Sequence, residues 1–170
     1  FMNANSSISY ESGFGTDHRN LELKGGANFD VVRNESLPFV IETLNSQVQV
    51  LGTSFEVMAY ADRATEVNVS SGKVGLKATK TKSEPIVLEA GSRARLSPDG
   101  TQIERGTLKN NNHLGWWTRE LVFEQTSLKE VAQDLNKTYW SNIEVAESVA
   151  NCQISQIVKN KSLHDVLEIL

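Results

Sequence analysis

Between Asn20 and Arg105 the chain alternates apolar and polar residues with a period of two, and no helical pattern interrupts it. Leu21 and Leu23 alternate with Asn20, Glu22 and Lys24. Phe29 and Val31 flank Asp30, Phe39 and Ile41 flank Val40, and Val48 and Val50 flank Gln49. Phe55, Val57 and Ala59 alternate with Glu56 and Met58, and the pattern continues through Val67/Val69, Val74/Leu76, Ile86/Leu88 and Ala94/Leu96. Such alternation sends one set of side chains into a core and the other into water, as strands do. Gly25-Gly26, Gly52, Ser71-Gly72, Gly91 and Asp99-Gly100 separate the runs and read as turns. Strands therefore recur about every ten residues, which predicts a sandwich, barrel or solenoid and speaks against a parallel βαβ sheet. Pro38 and Pro85 each stand at the start of a run, where a sheet tolerates proline.

The totals agree with a folded chain. Hydrophobic residues make up 39% of the 170, enough for a core and too many for a disordered chain. A net charge of −4 and a pI near 5.4 lack the basic footprint of a nucleic-acid binder. No apolar run approaches the roughly 18 residues that a membrane helix needs. The opening FMNANSSISY has no basic region followed by an apolar stretch, so it is not a signal peptide.

The pattern changes after Arg105. GTLKNNNHLG at 106–115 has the composition of a boundary, and Trp116-Trp117 that of a packing anchor. Leu121, Val122 and Phe123 suggest a short strand. Then SLKEVAQDL at 127–135 returns as SLHDVLEIL at 162–170. In each copy a serine is followed three residues later by an acid, Glu130 or Asp165, the signature of a capping box. Leu128, Val131, Ala132, Leu135 and Tyr139 then share one helical face, as do Leu163, Val166, Leu167 and Leu170. Ile143 and Val145 around Glu144 predict a second strand, and Ile154, Ile157 and Val158 a third. A tetratricopeptide repeat has a similar period, but it needs two helices per unit, and SNIEVAE occupies the second half here. The expected fold class is thus mainly β plus α+β: an all-β solenoid or sandwich-like domain, then a small βαββα module. Because the second helix is still apolar at Leu170, a closing hairpin is expected beyond it.

Sites of chemistry do not emerge. His18, His113 and His164 lie far apart, with no second ligand at a metal spacing. Cys152 is the one cysteine, so it has no disulfide partner in these residues. It sits in ANCQISQ beside no catalytic motif and reads as a small buried hydrophobe, the alternative being a partner cysteine outside these residues. GGANFD lacks the lysine of a phosphate loop. KATKTK at 77–82 reads as a solvated hairpin tip. No catalytic residue, metal or cofactor is expected.

The runs NANSSISYESGF, LELKGGANFDV, LPFVIET, VQVLGTSFEVMAY, VNVSSGKVGL and IVLEAGSRA resemble, in this order, FecR-like anti-sigma regulators. The densest match is Val50-Leu51-Gly52-Thr53-Ser54-Phe55. The tryptophan pair with Leu121, Phe123, Ser127-Leu128 and Val131 resembles the start of the family's last module. Gly26 departs from the pattern, in which glutamate is common. The resemblance implies a FecR-like domain over 1–107, a linker with the tryptophan anchor over 108–117, and over 118–170 an incomplete module similar to the receptors' own signalling (STN) domain. It further implies the periplasmic region of a single-pass inner-membrane protein. Its partner would be the N-terminal signalling domain of a TonB-dependent outer-membrane receptor, taking up an iron chelate or a glycan. Its output would be an extracytoplasmic-function sigma factor, held by a cytoplasmic part that this sequence does not include.

For contact with a partner, the strand edges at 121–125 and 143–146 are the candidates, which selects Val122, Phe123, Glu124, Ile143, Glu144 and Val145. The polar side of helix 128–139, with Lys129, Gln133, Asp134 and Lys137, is the alternative surface. The competing function is a β-rich carbohydrate-binding or structural surface protein. Few aromatics serve it: Tyr60 is the only tyrosine between Asn20 and Arg105, and no tryptophan precedes Trp116.

Overall fold

The period-two runs become strands in the computed structural model, which describes residues 1–170. The chain divides into two units, Phe1–Leu108 and Lys109–Leu170. Unit 1 contains β1 (Ser7–Ser9), β2 (Arg19–Asp30), β3 (Phe39–Glu42), β4 (Ser46–Val50), β5 (Ser54–Ala59), β6 (Thr65–Ser71), β7 (Lys73–Ala78), β8 (Ile86–Glu89), β9 (Ser92–Leu96) and β10 (Ile103–Thr107). Their lateral order is β10-β9-β6-β5-β2-β3-β4-β7-β8, with β1 also on β2. Successive strand pairs fall on opposite sides of β2: β3 and β4 on one, β5 and β6 on the other, then β7 and β8, then β9 and β10. The apolar face of each run meets the others in one core, which includes Leu23, Ile41, Val48, Phe55, Val57, Val67 and Leu76.

β2 belongs to both sides. Arg19–Glu22 runs parallel to β3, while Gly25–Asp30 runs antiparallel to β5. Gly25-Gly26, expected as a turn, therefore lies inside a continuous strand, where it changes the strand's partner. Gly25 has φ +95, and a Cβ there would stand 2.4 Å from the Ser6 hydroxyl oxygen. Only glycine combines that backbone region with that closeness.

Four of the six residues of the densest sequence match have architectural roles. Val50 and Phe55 enter the core. At Gly52 a Cβ would stand 2.4 Å from the Cα of Arg33, so the crossing chain requires glycine. Thr53 exchanges backbone hydrogen bonds with Val31, and its hydroxyl donates to the Lys73 carbonyl at 2.9 Å. On the other face of β5, buried Glu56 accepts from the Asn68 amide at 2.7 Å, as a buried carboxylate must. The lysine-rich stretch joins the β7–β8 hairpin, with Lys80 and Lys82 exposed, as a solvated tip should be.

Unit 2 contains a 3-10 turn (Asn112–Leu114), α1 (Gly115–Thr118), β11 (Glu120–Ser127), α2 (Leu128–Tyr139), β12 (Gln153–Lys159) and α3 (Leu163–Ile169). β11 and β12 form an antiparallel two-stranded sheet. Leu121, Phe123 and Val158 from the sheet, Val131 and Leu135 from α2, and Val166 from α3 make its core. Both serines cap their helices. Only Ser162 and Asp165 complete the reciprocal box. At the first copy the Glu130 carboxylate accepts instead from the Ser127 hydroxyl and the Lys109 ammonium.

The strand expected around Ile143–Val145 is absent. The alternation is real, since Ile143 and Val145 are half-buried and Glu144 is exposed, but no strand lies beside the segment. The Asn136 side chain takes a strand's place: its amide donates to the Ile143 carbonyl at 3.0 Å and its oxygen accepts the Ile143 N–H at 2.6 Å.

Candidate partner-binding surface

Extended strands turn successive backbone groups to opposite edges. In β11 the Arg119 carbonyl accepts from Asn160 N–H, so Leu121 and Phe123 also face β12. Glu120, Val122 and Glu124 face the other way, and each finds a partner within the chain. The Thr118 hydroxyl accepts the Glu120 N–H at 3.3 Å. The Asn112 side chain brackets Val122, accepting its N–H at 2.8 Å and donating to its carbonyl at 3.0 Å. The Thr126 hydroxyl accepts the Glu124 N–H at 3.1 Å and donates to its carbonyl. Past Phe123 the strand carries a bulge, with Gln125 at φ +47 and its N–H donating to the Ser155 hydroxyl.

The six residues selected from sequence therefore separate. Phe123 is a core residue and Val122 is bracketed on its outer edge; Glu124 is exposed but its backbone is engaged. Ile143, Glu144 and Val145 lie apart from β11 and line a groove of about 420 Å³ with Lys129, Gln133 and Asn136. On the polar side of α2, Lys129, Gln133 and Lys137 are exposed, whereas Asp134 accepts from the Asn112 amide at 2.8 Å.

Part of the charge on this unit is paired. Lys159 meets Glu120 at 2.8 Å across the sheet, and that hydrogen bond raises the lysine's pKa. Hydrogen bonds from Lys109 and Ser127 hold Glu130 below its ordinary value. His113 is pushed down by burial, with Lys137 adding to the effect. His164 is exposed and lies 3.4 Å from Glu168, and Cys152, read from sequence as buried, is exposed as well. Nowhere do three or more His, Cys, Asp or Glu side chains converge in a way that could hold a metal ion. No helix is long and apolar enough to cross a membrane.

The organising residues that sequence reasoning missed are the two asparagines, Asn112 and Asn136. Asn112 sits in a run of three asparagines that carries the composition of a linker, yet it is buried. Nothing in sequence alone distinguishes an amide that brackets a strand from one in water.

The family profile described as "FecR protein" matches residues 1–75, and the one described as "FecR, C-terminal" matches residues 120–170. Two crystal structures of a candidate anti-sigma factor from Parabacteroides distasonis are similar over nearly the whole chain. At 1.65 Å resolution the TM-score is 0.71 with 29% identity, covering 99% of this chain and 79% of that one. At 2.50 Å the TM-score is 0.70, with the same identity and 78% of that chain covered. No curated protein matches. Two profiles in the family's own order, one on each unit, and a likeness in both sequence and structure lead to one conclusion: the chain belongs to the FecR-like anti-sigma factors.

Proposed function

We propose that this chain is the periplasmic signal-receiving region of a FecR-like regulator of an inner membrane. It binds the N-terminal signalling domain of a TonB-dependent outer-membrane receptor and thereby controls an extracytoplasmic-function sigma factor. The observation that carries the reading is the placement of the C-terminal FecR profile on a compact unit of its own. Such a unit works by differential affinity. Receptor contact favours one state of the regulator over another, and the shift in population is the signal. In this reading unit 2 meets the receptor, while unit 1 spaces it from the membrane or widens the contact.

The test is titration calorimetry of the purified chain against the purified signalling domains of TonB-dependent receptors from the same genome. It is paired with a reporter driven by the cognate sigma factor. One receptor domain should bind saturably, and deleting unit 2 from the regulator should abolish the reporter's response to that receptor's ligand. Failure of every receptor domain to bind would sink the reading.

A further inference from the structure

We propose that β12 is the edge at which unit 2 accepts a strand from the receptor's signalling domain, an inference that rests on the reading above. At one end of β12 Cys152 accepts from Leu128 N–H at 2.9 Å, and at the other Asn160 N–H donates to the Arg119 carbonyl at 2.8 Å. Both residues face β11. Between them β12 is regular, because the extra residue of the bulge belongs to β11. The even-numbered residues from 152 to 160 therefore turn their backbone groups to β11, and Gln153, Ser155, Ile157 and Lys159 turn theirs outward.

Among residues 1–170 none of those outward N–H and C=O groups has a partner, and all four residues are exposed. The contrast with β11 is complete, since Thr118, Asn112 and Thr126 close its outer edge. An open edge is normally protected by a bulge, a proline or a charge. β12 has no bulge and no proline, and its centre carries Ile157 at 64% exposure, paired across the sheet with Val122. A lone pair of strands is also a marginal sheet that gains from a third.

The edge specifies its occupant. It spans Gln153–Lys159 and stops at Asn160, whose φ of +50 ends the extended chain. Beyond it stands Lys161, exposed and without an ion pair, whereas Lys159 is held by Glu120. The complement is an extended segment with a β-branched or aromatic side chain facing Ile157 and a carboxylate reaching Lys161. Main-chain hydrogen bonds supply the affinity in such strand addition, and the alternate side chains supply the selection.

Proline at an outward position tests this cleanly, because the N–H it removes has no partner within the chain. Ile157→Pro should lower affinity for the receptor domain by about tenfold or more, while Ile157→Thr, which keeps the N–H, should lose less. Unchanged fluorescence of Trp116, Trp117 and Trp140 reports the fold. Hydrogen exchange on the unaltered chain gives an independent readout. The amides of residues 153, 155, 157 and 159 should exchange fast alone and slowly in the complex. Equal binding by the proline variant, or protection at 120–124 or 143–145 instead, overturns the edge while the receptor reading stands. Absence of binding by any receptor domain overturns both. A dimer of this chain that Ile157→Pro dissociates shows the occupant to be a second copy, and likewise overturns the proposal.

Discussion

The two units solve the same problem, the backbone's demand for hydrogen-bond partners, by different means. In unit 1 strands satisfy strands, and sixteen buried apolar residues fill the space they enclose. In unit 2 six do so, and side chains act as substitute strands: Asn112 against Val122, Asn136 against Ile143, Thr118 and Thr126 at the ends of β11. The difference teaches where each unit is vulnerable. A unit of about 60 residues buries a smaller share of its surface than a larger one, so each apolar contact and each amide bracket weighs more. Apolar side chains also lie at the surface of unit 2, with Ile157, Leu167 and Ile169 all about half exposed or more.

The largest expected effects come from truncating one fully buried phenylalanine in each unit. Phe55 and Phe123 are both exposed by 1% or less. Each change to alanine should cost about 3–5 kcal/mol. All three tryptophans lie in unit 2, so tryptophan fluorescence in a denaturant titration reports Phe123→Ala. Hydrogen exchange of the β5 amides reports Phe55→Ala. If six residues and a few amides hold unit 2, Phe123→Ala leaves it unfolded without denaturant, whereas Phe55→Ala lowers the midpoint of unit 1 and leaves it folded. The same residual fold in both units would break the contrast.

Backbone strain sharpens the comparison at an intermediate level. In unit 1 the left-handed positions are glycines, apart from Asn5. In unit 2 they are Arg119, Gln125, Trp140 and Asn160, with no glycine among them. Substitutions should therefore act with opposite sign. Gly25→Ala should destabilise unit 1 by at least ~1–3 kcal/mol, before the clash with Ser6 is counted. Arg119→Gly, at the C-cap of α1, should stabilise unit 2 by up to ~1 kcal/mol. Denaturation midpoints measure both, and destabilisation by Arg119→Gly would mean that its side chain contributes more than its backbone costs.

Most of unit 1 was legible in sequence because each strand buries one face, and alternation at Leu21/Leu23 or Val74/Leu76 records that directly. What was not legible was partnership. Nothing near Gly25-Gly26 says that a strand passes straight through and exchanges neighbours, because a positive φ serves a bend as well as a turn. In unit 2 the caps at Ser127 and Ser162 were readable, since a helix start depends on residues three apart. Ile143–Val145 shows the limit: its alternation reports half-burial, and half-burial occurs without a neighbouring strand when a side chain such as that of Asn136 supplies the hydrogen bonds. The closure of the outer edge of β11 was hidden for the same reason. Which side of β11 is already closed depends on Asn112, ten residues before Val122, and no local pattern announces that bracket.

Acid provides the smallest effect and the finest discrimination. Burial holds His113 below its ordinary value near 6.5. As pH falls through that value, the unfolded chain takes up a proton that the folded unit refuses, so stability present above it is progressively lost. Glu130 and Asp165 in unit 2 are also depressed, as are Glu89 and Asp99 in unit 1. Their stabilising effects are lost in both units only at lower pH, as each depressed carboxylate is protonated. The interval between about pH 7.5 and about pH 5.5 thus isolates the histidine. Over it the tryptophan-reported midpoint of unit 2 should fall, and His113→Gln should flatten that slope because glutamine has no proton to take up. A slope unchanged by the substitution would place the acid sensitivity elsewhere and remove His113 from what distinguishes the small unit from the large one.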